Sequence, residues 1–305
     1  MRIVVMKRVV LALCSAAVLA LTACSGAGGS ASADGRLAVT ASFYPLQWAA
    51  EQVGGDHVTV TSLTRPGAEP HDLELTPKDV GALGSSQVVV YLSGFQPAVD
   101  DAVRSQAQDA AFDVAPAADL SITAAADGGA GTARDPHFWL DPVRFEKVVT
   151  AIGERFATVD PAHAAEYRAH AAALVERLAA LDQKFRTGLA SCRSNELVTG
   201  HVAFAYLAQR YGLSQEGIAG LSPEAEPDAA TLRDLAAYVQ QHGVTTVYTE
   251  TLASPALVET LARETGAKVA VLDPVEGITS ASQGGDYLEV MRSNLETLRA
   301  GQECR

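Results

Sequence analysis

The chain has seven histidines, and their surroundings divide them into two groups. His71 lies in Arg65-Pro66-Gly67-Ala68-Glu69-Pro70-His71-Asp72, and His137 in Asp135-Pro136-His137-Phe138-Trp139-Leu140-Asp141-Pro142. His201 closes Leu197-Val198-Thr199-Gly200-His201, and Asp273 follows Val269-Ala270-Val271-Leu272 and precedes Pro274. Imidazole nitrogen and carboxylate oxygen form a donor set suited to zinc, which favours four ligands in a tetrahedron. Pro66, Pro70, Pro136 and Pro274 stiffen these loops, so less entropy is lost when something binds there. The sequence holds no HExxH and no CxxC pair, so no local motif joins the four positions. Two readings stay open at this point: one shared metal site, or three unconnected loop histidines beside a helix-capping aspartate. His57, His163, His170 and His242 occupy ordinary exposed positions, with His242 also favoured near a helix C-terminus. Glu69, close to His71, reads as a surface acid, the alternative being an approach to the metal.

The elements that must hold these residues follow a strand–helix rhythm. Arg36–Phe43, His57–Leu63 and Gln87–Leu92 are rich in Val, Thr and Tyr and read as strands. Helical patterns at Leu46–Val53 and Pro77–Leu83 separate them. Ala115–Ala133, rich in Ala, Gly and Asp, reads as a mobile surface loop. Asp160-Pro161 then looks like an N-cap followed by proline at the first helical position. Leu174, Leu178, Leu181, Phe185 and Leu189 continue as one apolar stripe. A helix over residues 160–190 spans roughly 45 Å, more than one small domain needs. Beyond it, Glu196–Thr199, Thr245–Thr249 and Lys268–Leu272 read as strands, and Ala203–Tyr211, Asp228–His242, Pro255–Thr265 and Asp286–Ala300 as helices. The expected fold class is α/β, with two lobes, each a parallel sheet flanked by helices, joined by one long rigid helix. Residues 36–159 form the first lobe and 191–305 the second. His71, His201 and Asp273 then sit at the carboxyl ends of strands, where open α/β sheets bind their ligands.

Composition narrows the function. The chain of 305 residues is 48% hydrophobic, enough for real cores, and its formal charge of −13 argues against nucleic acid. Arg2, Lys7 and Arg8 precede an apolar run, Val9–Ala23, shorter than the ~20 residues of a spanning helix. Residues 1–23 therefore read as a signal peptide, ending Leu21-Thr22-Ala23-Cys24 like a bacterial lipobox, with Cys24 the lipidated residue. Residues 24–35 are a flexible Gly/Ser/Ala tether. In an oxidising compartment Cys192 and Cys304 are expected to form a disulfide, the alternative being two buried thiols.

PGAEPHDLELTPKD, DPHFWLDP, LVTGHVAFAYLAQRYGL and VLDPVEG, in this order, resemble the metal-binding lipoproteins of bacterial ABC importers for zinc and manganese. The likeness covers nearly the whole chain after the signal peptide. It implies one metal between the lobes, held by His71, His137, His201 and Asp273, and a partner permease with its ATPase. It further implies an extracytoplasmic, lipid-anchored monomer that is not an enzyme. Manganese-selective relatives tend to carry a carboxylate at the third ligand position; His201 stands there, so zinc is the expected cargo over manganese. Zinc-specific members often have a His-rich loop before the second histidine, whereas Ala115–Ala133 contains no histidine. Two other functions compete. An exported zinc hydrolase would need an open coordination position for water, which a closed shell of three histidines and a carboxylate denies. A surface adhesin would show no metal dependence. Because the long helix lacks an internal hinge before Gly188, little lobe motion is expected; Ala115–Ala133 and Glu276–Gly285 are the expected moving parts.

Overall fold

The computed structural model describes residues 35–125, 131–225 and 227–305. The expected signal peptide, Cys24 and all of the expected tether but Gly35 lie outside the described residues. The first lobe runs β1 (Leu37–Ala41), α1 (Tyr44–Gly54), β2 (Val58–Ser62), α2 (Pro77–Leu83), β3 (Val88–Tyr91), α3 (Pro97–Gln106) and β4 (Ala111–Asp113). Val, Thr and Ala fill these strands because β-branched side chains suit the pleat. Thr76 and Asp79 cap α2 reciprocally, with Pro77 in its first turn. The strands pair in parallel in the order β2-β1-β3-β4.

The segment Ala115–Ala133 departs from the loop reading where it is described. It holds a short helix, α4 (Ala115–Ala118), and an antiparallel pair, β5 (Thr123–Ala125) and β6 (Thr132–Arg134). The pair extends through the Asp135 N–H, which donates to the Ile122 carbonyl, so the segment delivers the chain to Asp135 and His137 in a fixed place.

A helix absent from the sequence reading follows, α5 (Pro142–Val159). The Asp141 carboxylate accepts the Val143 N–H at its start, and Phe145, Val148, Val149, Ile152 and Phe156 bury one face. The linker helix α6 (Ala164–Gly188) is 25 residues long, about 37 Å. It starts later than expected because Asp160 is not helical and Pro161–His163 forms a 3-10 turn. Along it Tyr167, Leu174, Leu178, Leu181 and Phe185 are buried, and α5 packs beside it.

The second lobe runs β7 (Glu196–Thr199), α7 (Ala205–Tyr211), β8 (Ser214–Gly217), α8 (Ala229–His242), β9 (Thr246–Thr249), α9 (Ala256–Thr265), β10 (Lys268–Val271) and α10 (Tyr287–Gly301). Its parallel order is β10-β9-β7-β8. Counted from its own first strand, this is the order of the first sheet. Each sheet therefore reverses direction between its first and third strands, and such switch points open a crevice at the strands' carboxyl ends.

The lobes are not separate globules. One apolar cluster joins Leu37 and Val39 of β1 to Leu178 and Phe185 of α6, Leu197 of β7 and Tyr287 and Met291 of α10. Trp48 of α1 stacks on Tyr287, their ring centres 4.9 Å apart. An ionic knot adds to this seam: Arg210 Nε of α7 lies 2.6 Å from Asp182 Oδ1 of α6 and 3.2 Å from Asp141 Oδ1, the cap of α5. Cys192 and Cys304 are disulfide-bonded. Among the described residues, no helix is long and apolar enough to cross a membrane.

Candidate metal centre

His71, on the loop after β2, and His137, after β6, come from the first lobe. His201 follows β7, and Glu276 lies beyond β10. Gly200 allows the His201 turn, because a Cβ there would sit 2.7 Å from Glu250 Oε1. That oxygen instead accepts the His201 N–H at 2.9 Å. Among the described residues, His71, His137, His201 and Glu276 form the one group of side chains whose donor atoms all lie within 4.8 Å of one another.

The structure thus brings together three of the four residues singled out in the sequence, His71, His137 and His201, and leaves the fourth, Asp273, out of the group. The Asp273 carboxylate is turned elsewhere: Oδ1 accepts the Val275 N–H at 2.8 Å and Oδ2 accepts the Ser282 hydroxyl at 3.0 Å. Glu276 takes its place, which also corrects the reading of Glu276 as the start of a moving segment; its side chain is 1% exposed. Glu69 is not a surface acid. Its Oε1 accepts the His71 N–H at 3.0 Å and lies 4.0 Å from His71 Nε2.

The distances have a definite geometry. His137 Nε2 is 3.3 Å from both His71 Nε2 and His201 Nε2. Glu276 Oε1 lies 3.3 Å from His71 Nε2, 3.1 Å from His137 Nε2 and 3.7 Å from His201 Nε2. Corners of a tetrahedron lie roughly 1.63 times the bond length apart, so zinc bonds of ~2.0–2.1 Å put donors ~3.3–3.4 Å apart. Five of the six separations, 3.1–3.7 Å, are near that value, and His71 Nε2 and His201 Nε2 lie within 4.8 Å of each other.

Two carboxylates missed in the sequence reading as partners fix the rings. Asp135 Oδ1 lies 2.7 Å from His137 Nδ1, and Glu250 Oε2 lies 2.6 Å from His201 Nδ1. Each accepts an Nδ1–H, which leaves the Nε2 lone pair facing the centre. Asp135 also accepts the His137 N–H at 2.9 Å, a turn the Asp-Pro-His spacing makes visible. Glu250, at the end of β9, carries no such local sign.

Electrostatics sharpen the arrangement. Burial opposes a proton on His137 and on His201, but Asp135 and Glu250 outweigh it, and both pKa values are raised, that of His201 well above 6.5. His71 has no such partner on its far nitrogen, and burial lowers its pKa. Burial also works against a charge on Glu276, yet hydrogen bonds from His137, His201 and His71 hold its carboxyl well below the ordinary value. Burial and the nearby Glu276 charge push Glu69 up to about 8. Glu276 Oε2 is buried without a hydrogen-bond partner among the described residues, a polar atom that a cation would satisfy.

The other histidines stay outside. His57 pairs with Glu166, His163 with Asp160, and His170 with the Val53 carbonyl, while His242 stacks on Tyr238.

Comparison with known proteins follows the same lines. Residues 39–301 match the family described as zinc-uptake complex component A, periplasmic. The high-affinity zinc uptake system protein ZnuA of Bacillus subtilis is 34% identical over 301 residues, covering 93% of this chain and 94% of the relative. The chain spans 56–61% of the length of the streptococcal zinc-binding proteins AdcA. Among solved structures, the Zn(II)-bound ZnuA-like domain of Streptococcus pneumoniae AdcA superposes with a TM-score of 0.73 at 34% identity, covering 88% of this chain and 100% of that one. The laminin-binding protein Lmb of Streptococcus agalactiae, described as a bifunctional protein with adhesin and metal transporting activity, gives 0.77 at 31% identity, covering 87% and 99%.

Proposed function

We propose, for a chain that belongs to the periplasmic component A family of zinc-uptake complexes, that it captures a zinc ion and delivers it to an ABC importer. The donors would be Nε2 of His71, His137 and His201 and a carboxylate oxygen of Glu276. One observation carries this reading: four donors from two lobes converge, five of their six separations being 3.1–3.7 Å, close to those of a tetrahedral shell. Three imidazoles favour zinc over manganese, which prefers more oxygen donors.

The family is one of solute-binding components, and the chemistry of the site agrees with capture rather than turnover. Four protein donors complete a tetrahedral shell and leave no place for an activated water. The acidic chain, with a formal charge of −13, raises the encounter rate with a cation. Export through residues 1–23, a lipid on Cys24 and residues 24–35 as a tether would hold a monomer at the extracytoplasmic membrane face, beside a permease and its ATPase. Residues 36–159, 160–190 and 191–305 would serve as first lobe, linker and second lobe.

Elemental analysis of the purified chain, with a competition titration of zinc against manganese, tests the reading. One equivalent of zinc, held more tightly than manganese, is expected; protein that retains no transition metal would refute it. The Lmb likeness keeps adhesion as a second role, checked by laminin binding with and without metal.

A further inference from the structure

We propose that Asp273 is a positioning residue: it holds Val275 in a left-handed backbone conformation and so aims Glu276 at the three histidines. The inference rests on the four-donor reading above.

Val275 has φ 58°. For a β-branched residue this region brings Cβ against the following carbonyl and is disfavoured by roughly tenfold or more relative to extended backbone. Left to itself, Val275 would return to the extended region and carry residue 276 away along the direction set by Pro274. Something must hold the turn, and the surroundings show what does. Asp273 Oδ1 accepts the Val275 N–H at 2.8 Å, and Oδ2 accepts the Ser282 hydroxyl at 3.0 Å. Asp273 is itself fixed to α10: its N–H donates to Asn294 Oδ1 at 3.0 Å, and its carbonyl accepts Asn294 Nδ2 at 2.7 Å. Pro274 is tied to the first lobe, its carbonyl accepting the Trp139 indole N–H at 2.8 Å. The Val275 side chain is fully buried. The strain lies next to the one carboxylate donor; Oδ1 of Asp273 restrains it, and Ser282 anchors the same carboxylate through Oδ2. Asp273 acts on the metal through Glu276 alone.

The test is zinc affinity of the full chain by competition with a chromophoric chelator. Glu276→Ala weakens zinc. Asp273→Ala weakens it about tenfold or more, as loss of a residue supporting a ligand does. Asp273→Asn stays within about threefold of wild type, because its amide oxygen still accepts the Val275 N–H. The double variant Asp273→Ala with Glu276→Ala loses no more than Glu276→Ala alone. Equal losses in Asp273→Asn and Asp273→Ala would make Asp273 a direct ligand and overturn the inference; so would a fully additive double variant. Unchanged affinity in Glu276→Ala would bring down the four-donor reading and this inference with it. Should alanine at 273 prevent folding, the asparagine variant decides: near wild-type affinity supports the clamp, and a loss as large as that of Glu276→Ala overturns it.

Discussion

Replacing His201 by alanine removes one imidazole from a centre whose other donors are fixed in place. We predict a loss of zinc affinity far larger than for alanine at His57, His163 or His242, whose partners lie outside the site. His201→Glu should weaken zinc and narrow the gap to manganese, because oxygen replaces nitrogen. Calorimetry at fixed pH checks both, and an unchanged zinc constant in His201→Ala would remove it from the centre. Glu250→Gln should cost about 10–100-fold in zinc affinity, since the ring would lose the partner that sets its tautomer. Acid should act in two directions. His137 and His201 have raised pKa values in the metal-free fold. Their protonated forms therefore add stability that is fully present below the unfolded value of 6.5 and lost as pH rises through the raised folded values. Metal needs the same nitrogens bare. Acidification thus stabilises the empty protein and expels the cargo, so the Tm difference between loaded and empty protein should shrink as pH falls through the range of these two histidines. Scanning calorimetry with and without zinc measures it, and a difference that widens in acid would contradict the assignment.

At the scale of elements, the Arg210 knot is the joint most open to a stability test. It links α5, α6 and α7 through Asp141 and Asp182, with side chains only 8–15% exposed. Arg210→Ala takes the shared cation from two buried carboxylates, leaving Asp182 with Arg186 and Tyr211 and Asp141 with Arg144, and should cost about 2 kcal/mol, less than a carboxylate left wholly unpaired. Urea unfolding reads this directly, and a loss below about 0.5 kcal/mol would mean that water already screens the knot. β1, β2, β3, β7, β9 and β10 and the linker helix are legible because their apolar patterns repeat cleanly, whereas β4, three residues long, is not. α5 carries an equally clear stripe at Phe145, Val148, Val149, Ile152 and Phe156; it went unread beside the longer pattern that follows. β5, β6 and β8 are made of Thr, Ala, Arg, Ser, Gln, Glu and Gly, a mix whose strand formation depends on the partner strand rather than on its own preference. In the site, the three histidines stand out by their loops, but only the family resemblance joins them into one centre. The choice between Asp273 and Glu276 was not, because it turns on the backbone of Val275, and a β-branched residue gives no sign that it will be left-handed.

For the whole molecule, the disulfide and the common core set the expectations. The Cys192–Cys304 bond closes a separation of 112 residues at the amino ends of the second sheet's strands, away from the metal centre. In the chain-entropy model a loop of about 100 residues contributes ~4.7 kcal/mol, usually less in practice. Cys192→Ser with Cys304→Ser should therefore lower the denaturant midpoint and leave zinc affinity intact; a change in affinity would mean that the bond reaches the site. The apolar cluster runs through both lobes and α6 without a break. Scattering from empty and loaded protein should accordingly differ little, and a lobe rotation of tens of degrees would contradict a core packed at crystal-like density. This continuity bears on how the molecule is recognised. On that expectation its outline would be nearly the same full or empty. A receptor that must tell the two apart has only the mouth of the centre to read, around His71, the donor at 9% exposure while its companions are sealed. With so little to read, vacant molecules would compete for a receptor's berth almost as well as filled ones, and scarcity would then slow delivery twice: fewer carriers filled, and the unfilled ones standing in the way.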